Sequence, residues 1–391
     1  MYEKKLSIII PTKNRQQYAF SCINAILMFV RSDFEVVVQD NSDDDTLRNL
    51  VSGIDDPRVV YNYVGECLPF CANFEIALEN SSGDYFVYIG DDDGVLEDIF
   101  IAVDYARAHD VDAIRYSHNI SYKWPNAVNN SANGELIIRD VIPKLKELDC
   151  SDAIDTMIKV GNYDYQNYNF PFAYHGIIKR SVFDQVKQTT GHYFGGLTPD
   201  IYAAVSLSFY VKKMIYIDYP FTIPGVCKKS GTADSLTGRH NGDLKDAPHF
   251  RGTVNYKWDT KVPYVYSVET IWAETAFKAM QENGREVQLS KEDYFNYLLH
   301  LVWHNPKAKK EYIDFYKRVT NDESDSLERR INYELKLLKL RSKYKRGKLF
   351  IKRVIIGRHV FKKVNDIGTA VEISQKHLHE KEIRNKLIQV L

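Results

Sequence analysis

The fold is decided by residues 85–94, which read YFVYIGDDDG. An uninterrupted apolar and aromatic run predicts a buried strand, and three aspartates follow it directly. Adjacent carboxylates repel one another, so this cluster costs stability unless solvent or a cation offsets its charge. Oxygen ligands of this kind suit Mg²⁺ or Mn²⁺. The stretch therefore predicts either a metal site at a strand end or a solvated acidic turn that begins the next helix.

Outward from this stretch, the first 116 residues alternate between apolar strands and amphipathic helices. Strands separated by helices of about ten to fifteen residues predict an α/β fold with a doubly wound, mostly parallel sheet. Such sheets bind ligands at the carboxyl ends of their strands, so we expect the chemistry there. The predicted strands are residues 6–10, 34–38, 58–64, 84–89 and 112–116.

Two further polar clusters follow predicted strands. Residues 11–15 read PTKNR and precede a helix, whose N–H groups and positive end suit a nucleotide, with Thr12 and Arg15 available to the base or the ribose. The alternative is an ordinary strand-to-helix turn capped by Asn14. Asp40 follows the second strand, where its carboxylate can accept the N3–H of uracil or thymine or hold a ribose hydroxyl. The alternative for Asp40 is a plain turn residue.

Taken together, the order and spacing of the three clusters resemble those of the family 2 glycosyltransferases, which have the A-type nucleotide-sugar-binding fold. The resemblance is strong over about the first 116 residues and weaker to about residue 225. It implies inverting transfer of a sugar from a nucleotide diphosphate, with a UDP-sugar favoured, to a hydroxyl of a carbohydrate or lipid-linked saccharide in bacterial surface polysaccharide synthesis. The resemblance is carried by residues 7–15, 35–42, 56–61, Asn73 and 83–93.

The resemblance also assigns roles to individual residues. It implies Mn²⁺ or Mg²⁺ held by Asp93 as the direct ligand together with Asp91. His240, in the polar loop that related folds close over the diphosphate, is a further metal-ligand candidate. Gly90 stands where many relatives have the first aspartate of the motif, which leaves Asp92 open as the direct ligand instead. The residues implied to bind the nucleotide are Pro11, Thr12, Asn14, Arg15, Asp40, Asn73, Asp91 and Asp92.

An inverting transfer needs a general base that deprotonates the acceptor hydroxyl. The family places an aspartate or glutamate at the start of a helix past the middle of the catalytic domain. Asp200, in residues 197–201 (LTPDI), matches that description, and Thr198 and Pro199 predict the start of the helix. The alternative is a carboxylate that is there because the helix dipole favours it.

Two regions are expected along the chain. Residues 1–255 are predicted to form the catalytic domain, in which 1–116 is the nucleotide-binding half and 117–255 is the acceptor half with the lid loop. Residues 256–391 are predicted to be helical.

Within the predicted helical region, residues 329–363 contain fourteen Lys or Arg and one acid, Glu334, interleaved with apolar residues. A basic amphipathic helix of this kind suits an anionic membrane surface. The alternative is that its apolar stripe packs on the protein itself or on a second subunit of a homo-oligomer.

Composition and charge exclude several classes of protein. Lys plus Arg equals Asp plus Glu, at 52 each, so the charge of the whole chain indicates no partner. The five cysteines are irregularly spaced, which argues against a disulfide framework or a zinc site. The sequence shows no signal region and no apolar stretch of about eighteen residues. We therefore expect a cytoplasmic protein, held in part on the inner face of the plasma membrane by its basic segment.

Two other functions remain open at this point. A sugar nucleotidyltransferase also pairs a nucleotide with a metal on an α/β sheet, but its glycine-rich first loop has no counterpart in residues 11–15. A non-catalytic sugar- or nucleic-acid-binding protein is the other alternative, because the basic segment suits nucleic acid. No recognisable RNA or DNA motif accompanies that segment, so we expect no nucleic-acid partner.

Overall fold

A computed structural model describes residues 4–127, 133–228, 244, 248–253, 255–355 and 357–391, with the backbone alone for residues 348–355. The helices in these ranges are α1 Gln16–Leu27, α2 Thr46–Val51, α3 Phe70–Glu79, α4 Ile99–His109, α5 Ala153–Val160, α6 Arg180–Thr190, α7 Pro199–Leu207, α8 Val268–Glu282, α9 Lys291–His304, α10 Lys309–Thr320, α11 Leu327–Ile355, α12 Ile367–Glu380 and α13 Ile383–Val390. The strands are β1 Leu6–Thr12, β2 Phe34–Asp40, β3 Val59–Tyr63, β4 Tyr85–Tyr88, β5 Gly94–Val95, β6 Ala113–Tyr116, β7 Ile120–Lys123, β8 Glu135–Arg139, β9 Leu145–Leu148, β10 Ile177–Lys179, β11 Met214–Ile217, β12 Thr222–Ile223, β13 Gly225–Val226 and β14 Arg358–Lys362.

The central sheet has eight strands in the order β3-β2-β1-β4-β10-β6-β11-β9. Strands β3, β2, β1 and β4 pair in parallel, as do β6 and β11, whereas β10 and β9 run antiparallel to their neighbours. Every residue of β1 and β2 is buried, as expected of strands covered on both faces. The predicted α/β fold with a mostly parallel sheet is therefore confirmed, with β10 inserted between β4 and β6.

Helices cover both faces of this sheet. On one face, Ile23 of α1 and Val103 of α4 belong to the same apolar core as Ile8 of β1. On the other face, Phe74 of α3 and Phe183 of α6 belong to a second core, together with residues of β1, β2 and β4. The sheet is thus the middle of three layers, and its strand ends open at one edge.

A third core lies among the helices. Tyr202 of α7 packs with Met157 of α5, Phe277 of α8, Leu298 of α9 and Tyr316 of α10. Pro199 is the first residue of α7, as predicted, and Thr198 is its N-cap, although its side chain makes no capping hydrogen bond. This helical core fixes the start of α7, and with it Asp200, against the open edge of the sheet.

The C-terminal region is mainly helical, but it also contributes a strand. Strand β14 pairs antiparallel with β8 at the edge of a second sheet, ordered β13-β7-β8-β14. Ile367 and Val371 of α12 lie in the same core as Ile23 of α1. The predicted division at residue 255 stays a prediction, yet the end of the chain packs directly on its beginning.

The basic segment 329–363 is not one amphipathic helix as predicted, because α11 ends at Ile355 and β14 follows. On α11, Ile331 is buried in the helical core, whereas Leu340 and Tyr344 are 62% and 72% exposed. Across the described part of the chain, no helix has the length and apolar character needed to cross a membrane.

Candidate functional site

The three predicted polar clusters meet at one edge of the sheet. Thr12, the last residue of β1, is directly opposite Asp40, the last residue of β2. Strand β4 lies on the other side of β1, so the aspartates that follow it come to the same edge. The N–H of Asn41 donates a 3.0 Å hydrogen bond to the carbonyl of Thr12, which ties the first two strand ends together.

Asp40 is fully buried and already hydrogen-bonded within the protein. The N–H of Ser42 donates to its Oδ1 at 2.8 Å, and the hydroxyl of Tyr61 donates to its Oδ2 at 2.7 Å. Burial, followed by the bond to Asp40, raises the pKa of Tyr61 well above its usual range, so the phenol stays a donor. These contacts hold the Asp40 carboxylate in a fixed orientation.

Asn73 and Asn14 behave differently from each other. Asn73 is buried and its Nδ2 lies 3.5 Å from the carbonyl of Thr12, while its Oδ1 has no hydrogen-bond partner among the described residues.

Asn14 has a left-handed backbone, with a φ of 58°. Its amide exchanges two hydrogen bonds with Asp43, at 2.6 and 2.9 Å, and Arg15 is the N-cap of α1. Asn14 therefore joins two loops and does not cap the helix.

Asp91 is fully buried between two partners. The hydroxyl of Thr12 donates to its Oδ2 at 2.5 Å, and Nε of Arg15 lies 3.0 Å from its Oδ1. Burial raises the pKa of Asp91 to about 7, with Asp92 adding to the rise and Arg15 opposing it. The carboxyl of Asp91 is thus easily protonated because the surrounding negative charge is incompletely offset.

Asp92 has one firm partner and one distant partner. The N–H of Cys227 donates to its Oδ2 at 3.0 Å, whereas Nη1 of Arg15 lies 3.4 Å from its Oδ1. Its backbone carbonyl accepts a 2.8 Å hydrogen bond from the indole of Trp124. Burial and then the neighbouring Asp93 raise the pKa of Asp92. Oδ1 of Asp92 is therefore held by one long contact, while Oδ1 of Asp91 makes no hydrogen bond in the described structure despite its ion pair with Arg15.

Both oxygens of Asp93 are occupied by donors of the protein. The N–H of Gly225 donates to Oδ1 at 2.6 Å, and the N–H of Gly90 donates to Oδ2 at 2.6 Å. The hydroxyl of Tyr174 and Nε2 of His175 each lie 3.0 Å from Oδ2. Burial alone would raise the pKa of Asp93, but His175 and the two N–H groups outweigh it, so the pKa is lowered. The Asp93 carboxylate thus anchors neighbouring segments.

Two glycines are required by this packing. A Cβ on Gly90 would lie 2.8 Å from the Tyr174 hydroxyl, and a Cβ on Gly225 would lie 1.8 Å from the carbonyl oxygen of Asp92. Both positions are tighter than a side chain tolerates. The glycine that replaces the family's first aspartate is therefore explained by Tyr174, which occupies the space an aspartate would need.

A cavity of about 500 Å³ opens beside the strand ends. Asp92 lines one part of its wall and Asp200 lines another. The hydroxyl of Tyr165 donates to Oδ2 of Asp200 at 3.2 Å. Burial raises the pKa of Asp200, and hydrogen bonds from the N–H of Ile201 and from Tyr165 oppose the rise. A carboxylate with a raised pKa is a better proton acceptor than an ordinary exposed aspartate.

The cavity wall contains some of the predicted site residues and several that were not predicted. Six of the predicted residues are not in this wall. Four of them lie at or behind the strand ends, namely Thr12, Asn14, Asp40 and Asn73; the other two are Asp91 and Asp93. His240 lies outside the described residues. The unpredicted residues are mostly aromatic, and the crowd of tyrosines and asparagines at 162–174 was the sequence signal for part of them. The predicted residues in the wall are Pro11, Arg15, Asp92 and Asp200; the others include Phe70, Phe74, Gln166, Tyr174, His249 and Trp272.

The acidic cluster fits the divalent cation that the resemblance implies. Three buried carboxylates share Arg15 and the His175 imidazole as their basic partners in the described structure. Burial raises the pKa of Asp91 to about 7 although Arg15 opposes the rise, so the protein alone leaves this buried carboxylate incompletely stabilised. Oxygen donors are the ligands that Mg²⁺ and Mn²⁺ prefer. The geometry favours Asp92, which reaches the cavity, over Asp93; the Asp93 assignment stays a prediction.

Comparison with known proteins agrees with this arrangement. Residues 7–186 match the family described as Glycosyl transferase family 2. The chain is 32% identical over 90 residues to the putative colanic acid biosynthesis glycosyl transferase WcaA of Escherichia coli (strain K12). That match covers 22% of this chain and 32% of WcaA, so it spans about a third of the curated relative's length.

Two proteins of known structure are among those similar to this chain. S. aureus TarS 1-349 in complex with UDP-GlcNAc has a TM-score of 0.45 and 13% identity, over 81% of this chain and 90% of that one. The longer S. aureus TarS structure is covered to 54%. Mannosyltransferase PcManGT from Pyrobaculum calidifontis, in complex with GDP-Man and Mn²⁺, has a TM-score of 0.43 and 13% identity, over 96% of this chain and 88% of that one.

Proposed function

We propose, from the premise that residues 7–186 belong to glycosyl transferase family 2, that this chain transfers a sugar from a nucleotide-diphosphate sugar to an acceptor hydroxyl. A UDP-sugar is the favoured donor, and a saccharide or lipid-linked saccharide is the favoured acceptor. The name of the curated relative, which concerns colanic acid biosynthesis, supports a role in bacterial surface polysaccharide synthesis.

The observation that carries the proposal is that Asp92 and Asp200 line one cavity at the carboxyl ends of parallel strands. Ligands of open α/β sheets bind at that edge. A donor in the cavity would have its nucleotide near the end of β1 and its sugar near the start of α7. Two carboxylates in the wall of one cavity suit the two halves of a transfer, in which one holds the leaving group and the other activates the acceptor.

The nucleotide is assigned to the strand ends. Asp40, fixed by Ser42 and Tyr61, would accept the N–H of the base, and Asn73 Oδ1 offers an acceptor that the protein leaves unused. Arg15, which lines the cavity, would contact the phosphates or the ribose. Thr12 and Asp91 would hold Arg15 in position.

A divalent cation is assigned to Asp92, with Asp91 nearby and Mn²⁺ or Mg²⁺ as the candidates. Such an ion, when bound, stabilises the charge that develops on a departing diphosphate. The protein's own contribution is to keep Asp92 at the cavity wall, which it does through the N–H of Cys227 and the indole of Trp124.

Asp200 is assigned as the general base of an inverting transfer. It would take the proton of the acceptor hydroxyl while that oxygen attacks the anomeric carbon on the face opposite the diphosphate. The raised pKa, which burial causes, and the 3.2 Å hydrogen bond from Tyr165 suit this role. The N–H of Ile201 also hydrogen-bonds to this carboxylate, so Tyr165 and the start of α7 together orient it.

The location of the protein is assigned to the cytoplasm, at the inner face of the plasma membrane. The exposed basic residues of α11 would contact anionic lipid there, and a contact between two copies of the chain is the competing role for this helix.

A panel of nucleotide sugars, screened by thermal shift with and without Mn²⁺, tests the proposal. Binding to the folded state raises the melting temperature, and the added stability grows as the logarithm of one plus the ratio of ligand concentration to Kd. We expect a UDP-sugar to stabilise the protein in the presence of Mn²⁺ and to be consumed when an acceptor is added. Consumption of added pyrophosphate, with formation of a nucleoside triphosphate and a sugar 1-phosphate, would indicate a nucleotidyltransferase instead, and the absence of any turnover would favour a binding protein.

A further inference from the structure

A second cavity, of about 520 Å³, adjoins the first. Gln166, Tyr174 and Gly225 line both, so the two spaces meet at these residues. The second cavity lies at the ends of β6 and β11, where Arg115 and His118 contribute to its wall. Arg115 and His118 belong to neither the predicted nucleotide site nor the predicted metal site, but Asp93, a predicted metal ligand, also lines this cavity.

Arg115 is the unusual residue of this cavity. Its Nη1 donates to the carbonyl of Tyr168 at 2.5 Å, and its guanidinium lies 4.0 Å from the centre of the Phe172 ring. In the described part of the chain, no carboxylate lies within 4.0 Å of it, in contrast to Arg15 beside Asp91. Burial lowers the pKa of Arg115.

A half-buried guanidinium without a counter-ion costs free energy. The ring of Phe172 and the carbonyl of Tyr168 offset part of this cost. They occupy only one of the five N–H groups of the guanidinium, however, and they do not neutralise its positive charge. The planar guanidinium matches carboxylate and phosphate oxygens in pairs. Arg115 at a cavity wall is therefore suited to an anion that enters from solution.

His118 adds a neutral polar group to the same wall. The His118 side chain is exposed to solvent, and desolvation by the surrounding groups, followed by the neighbouring His175, lowers its pKa to about 4. A neutral imidazole donates through one nitrogen and accepts through the other, which suits sugar hydroxyls. Arg115 is consequently the cationic group of the cavity that is not already paired with a carboxylate.

Tyr165 connects this cavity with the proposed chemistry. Its ring lines the second cavity, and its hydroxyl donates to Asp200 in the first. A ligand in the second cavity therefore lies beside the residue that holds the proposed base. This is the arrangement expected of an acceptor that presents a hydroxyl to Asp200 while its other end occupies the second cavity.

We propose that the second cavity binds the acceptor and that Arg115 selects an acceptor with an anionic group, either the carboxylate of a uronic acid or a phosphate. The inference rests on the proposed transferase function and names the acceptor class of that same site.

Binding of three small saccharides to the full-length protein tests the inference. The probes are methyl glucuronide, glucose 6-phosphate and the neutral methyl glucoside, titrated in the presence of UDP and Mn²⁺ and followed by saturation-transfer NMR. We expect at least one anionic probe to bind about tenfold more tightly than the neutral probe, as a charged hydrogen-bonded pair would give. The preference between carboxylate and phosphate identifies the source of the anion.

Variants of Arg115 separate selection from simple packing. Arg115→Gln keeps a donor for the Tyr168 carbonyl but removes the charge, so the anionic preference should fall to about onefold while the thermal shift with UDP-sugar is unchanged. Arg115→Lys should keep a preference, and Arg318→Met, which removes an arginine 5.6 Å from the Phe315 ring, should leave it intact.

Equal binding of neutral and anionic probes by the unmodified protein would overturn the inference, as would a preference that survives Arg115→Gln. If the glutamine variant does not fold, the wild-type ratio and the lysine variant decide. Donor binding is measured separately, so a protein that binds UDP-sugar without anionic preference refutes only the inference. A protein that binds anionic saccharide but no nucleotide sugar refutes the proposed function.

Discussion

Nε of Arg15 lies 3.0 Å from Oδ1 of Asp91. The same guanidinium reaches Asp92 at 3.4 Å, so one arginine partly neutralises two buried carboxylates. Arg15→Met should therefore lower the free energy of unfolding by about 3 kcal/mol, the usual loss when one partner of a buried pair is removed. Mn²⁺ should restore part of the melting temperature, because a cation can replace the lost charge. Arg48→Met, which removes an exposed arginine, is the control, and an equal loss in both variants would contradict this account.

Asp92 and Asp93 should differ sharply when each is changed to asparagine. Asp92→Asn should weaken UDP binding in the presence of Mn²⁺ by at least about tenfold with little change in melting temperature, because Asp92 reaches the cavity. Asp93→Asn should instead destabilise the fold by about 3 kcal/mol, because it leaves donors from Gly90, Gly225 and Tyr174 poorly matched. Calorimetric titration and thermal unfolding measure the two effects. Loss of Mn²⁺-dependent binding in the Asp93 variant alone would restore Asp93 as the ligand.

Asp200→Asn should separate donor binding from transfer. The variant should bind the donor as the wild type does and lose transfer by a factor of about 10² to 10⁴, the usual share of a general base. In the wild type, the acid limb of the rate profile should lie above the ordinary aspartate pKa, because the pKa of Asp200 is raised by burial and only the deprotonated form accepts a proton. Tyr165→Phe should shift that limb while Asp184→Asn should not. Near-normal transfer by Asp200→Asn would remove it from the role.

Glu282 should make stability depend on pH in the acid range. Burial opposes its charge, but hydrogen bonds from His192 and from Tyr202, the latter at 2.6 Å, lower the pKa of Glu282 to about 2. A lowered carboxyl pKa stabilises the folded state above the ordinary value near 4.5, and this stability is lost as the pH falls towards 2. Glu282→Gln should therefore cost about 1–2 kcal/mol at pH 7, allowing for solvent screening, and much less at pH 3. Urea unfolding at both pH values measures it, with exposed Glu286→Gln as the control.

The exposed basic residues of α11 should bind anionic lipid. Deletion of the C-terminal region is not a clean test, since β14 and α12 belong to the folded core. Five exposed residues are changed to glutamine instead, and near an anionic surface each contributes about 1 kcal/mol. The variant should stop sedimenting with phosphatidylglycerol vesicles, as should the wild type at high salt. If the wild type ignores vesicles and the variant changes its mass in light scattering, the helix is a subunit contact. The five residues are Lys339, Arg341, Lys343, Lys345 and Arg346.

Much of the fold follows from local sequence patterns. The apolar runs of β1, β2 and β4 are short, continuous and separated by helical spacing, so their order and parallel pairing follow from general rules. Strand β10 has three residues, and its position between β4 and β6 depends on packing over the whole sheet. Strand β14 alternates exposed and half-buried residues, a pattern of period two that the run of lysines and arginines conceals in the sequence.

The candidate site, like the fold, could be predicted from the sequence only in part. That three aspartates follow a strand is evident from the sequence, but neighbouring residues point in different directions, and the backbone decides which one reaches the cavity. Asp92 does so because Gly90 admits Tyr174 and Gly225 admits the Asp92 carbonyl. Tyr174 and His175 contact Asp93 from a distant part of the chain, and no local pattern indicates such a pair. That Arg115 has no carboxylate within 4.0 Å among the described residues is likewise evident only from the three-dimensional structure.

The pairing of Arg358 with Arg139 also has a consequence for how the protein is made. A ribosome releases the chain from its first residue onwards, so β8 emerges long before its partner β14. The face of α1 that Ile367 and Val371 cover also emerges long before these two residues. Until residues 358–387 emerge, the nascent chain exposes an unpaired strand edge at β8 and an uncovered apolar face on α1. Both features promote aggregation. Damage to this last segment should therefore appear first as poor yield of soluble protein, before any defect in catalysis can be measured.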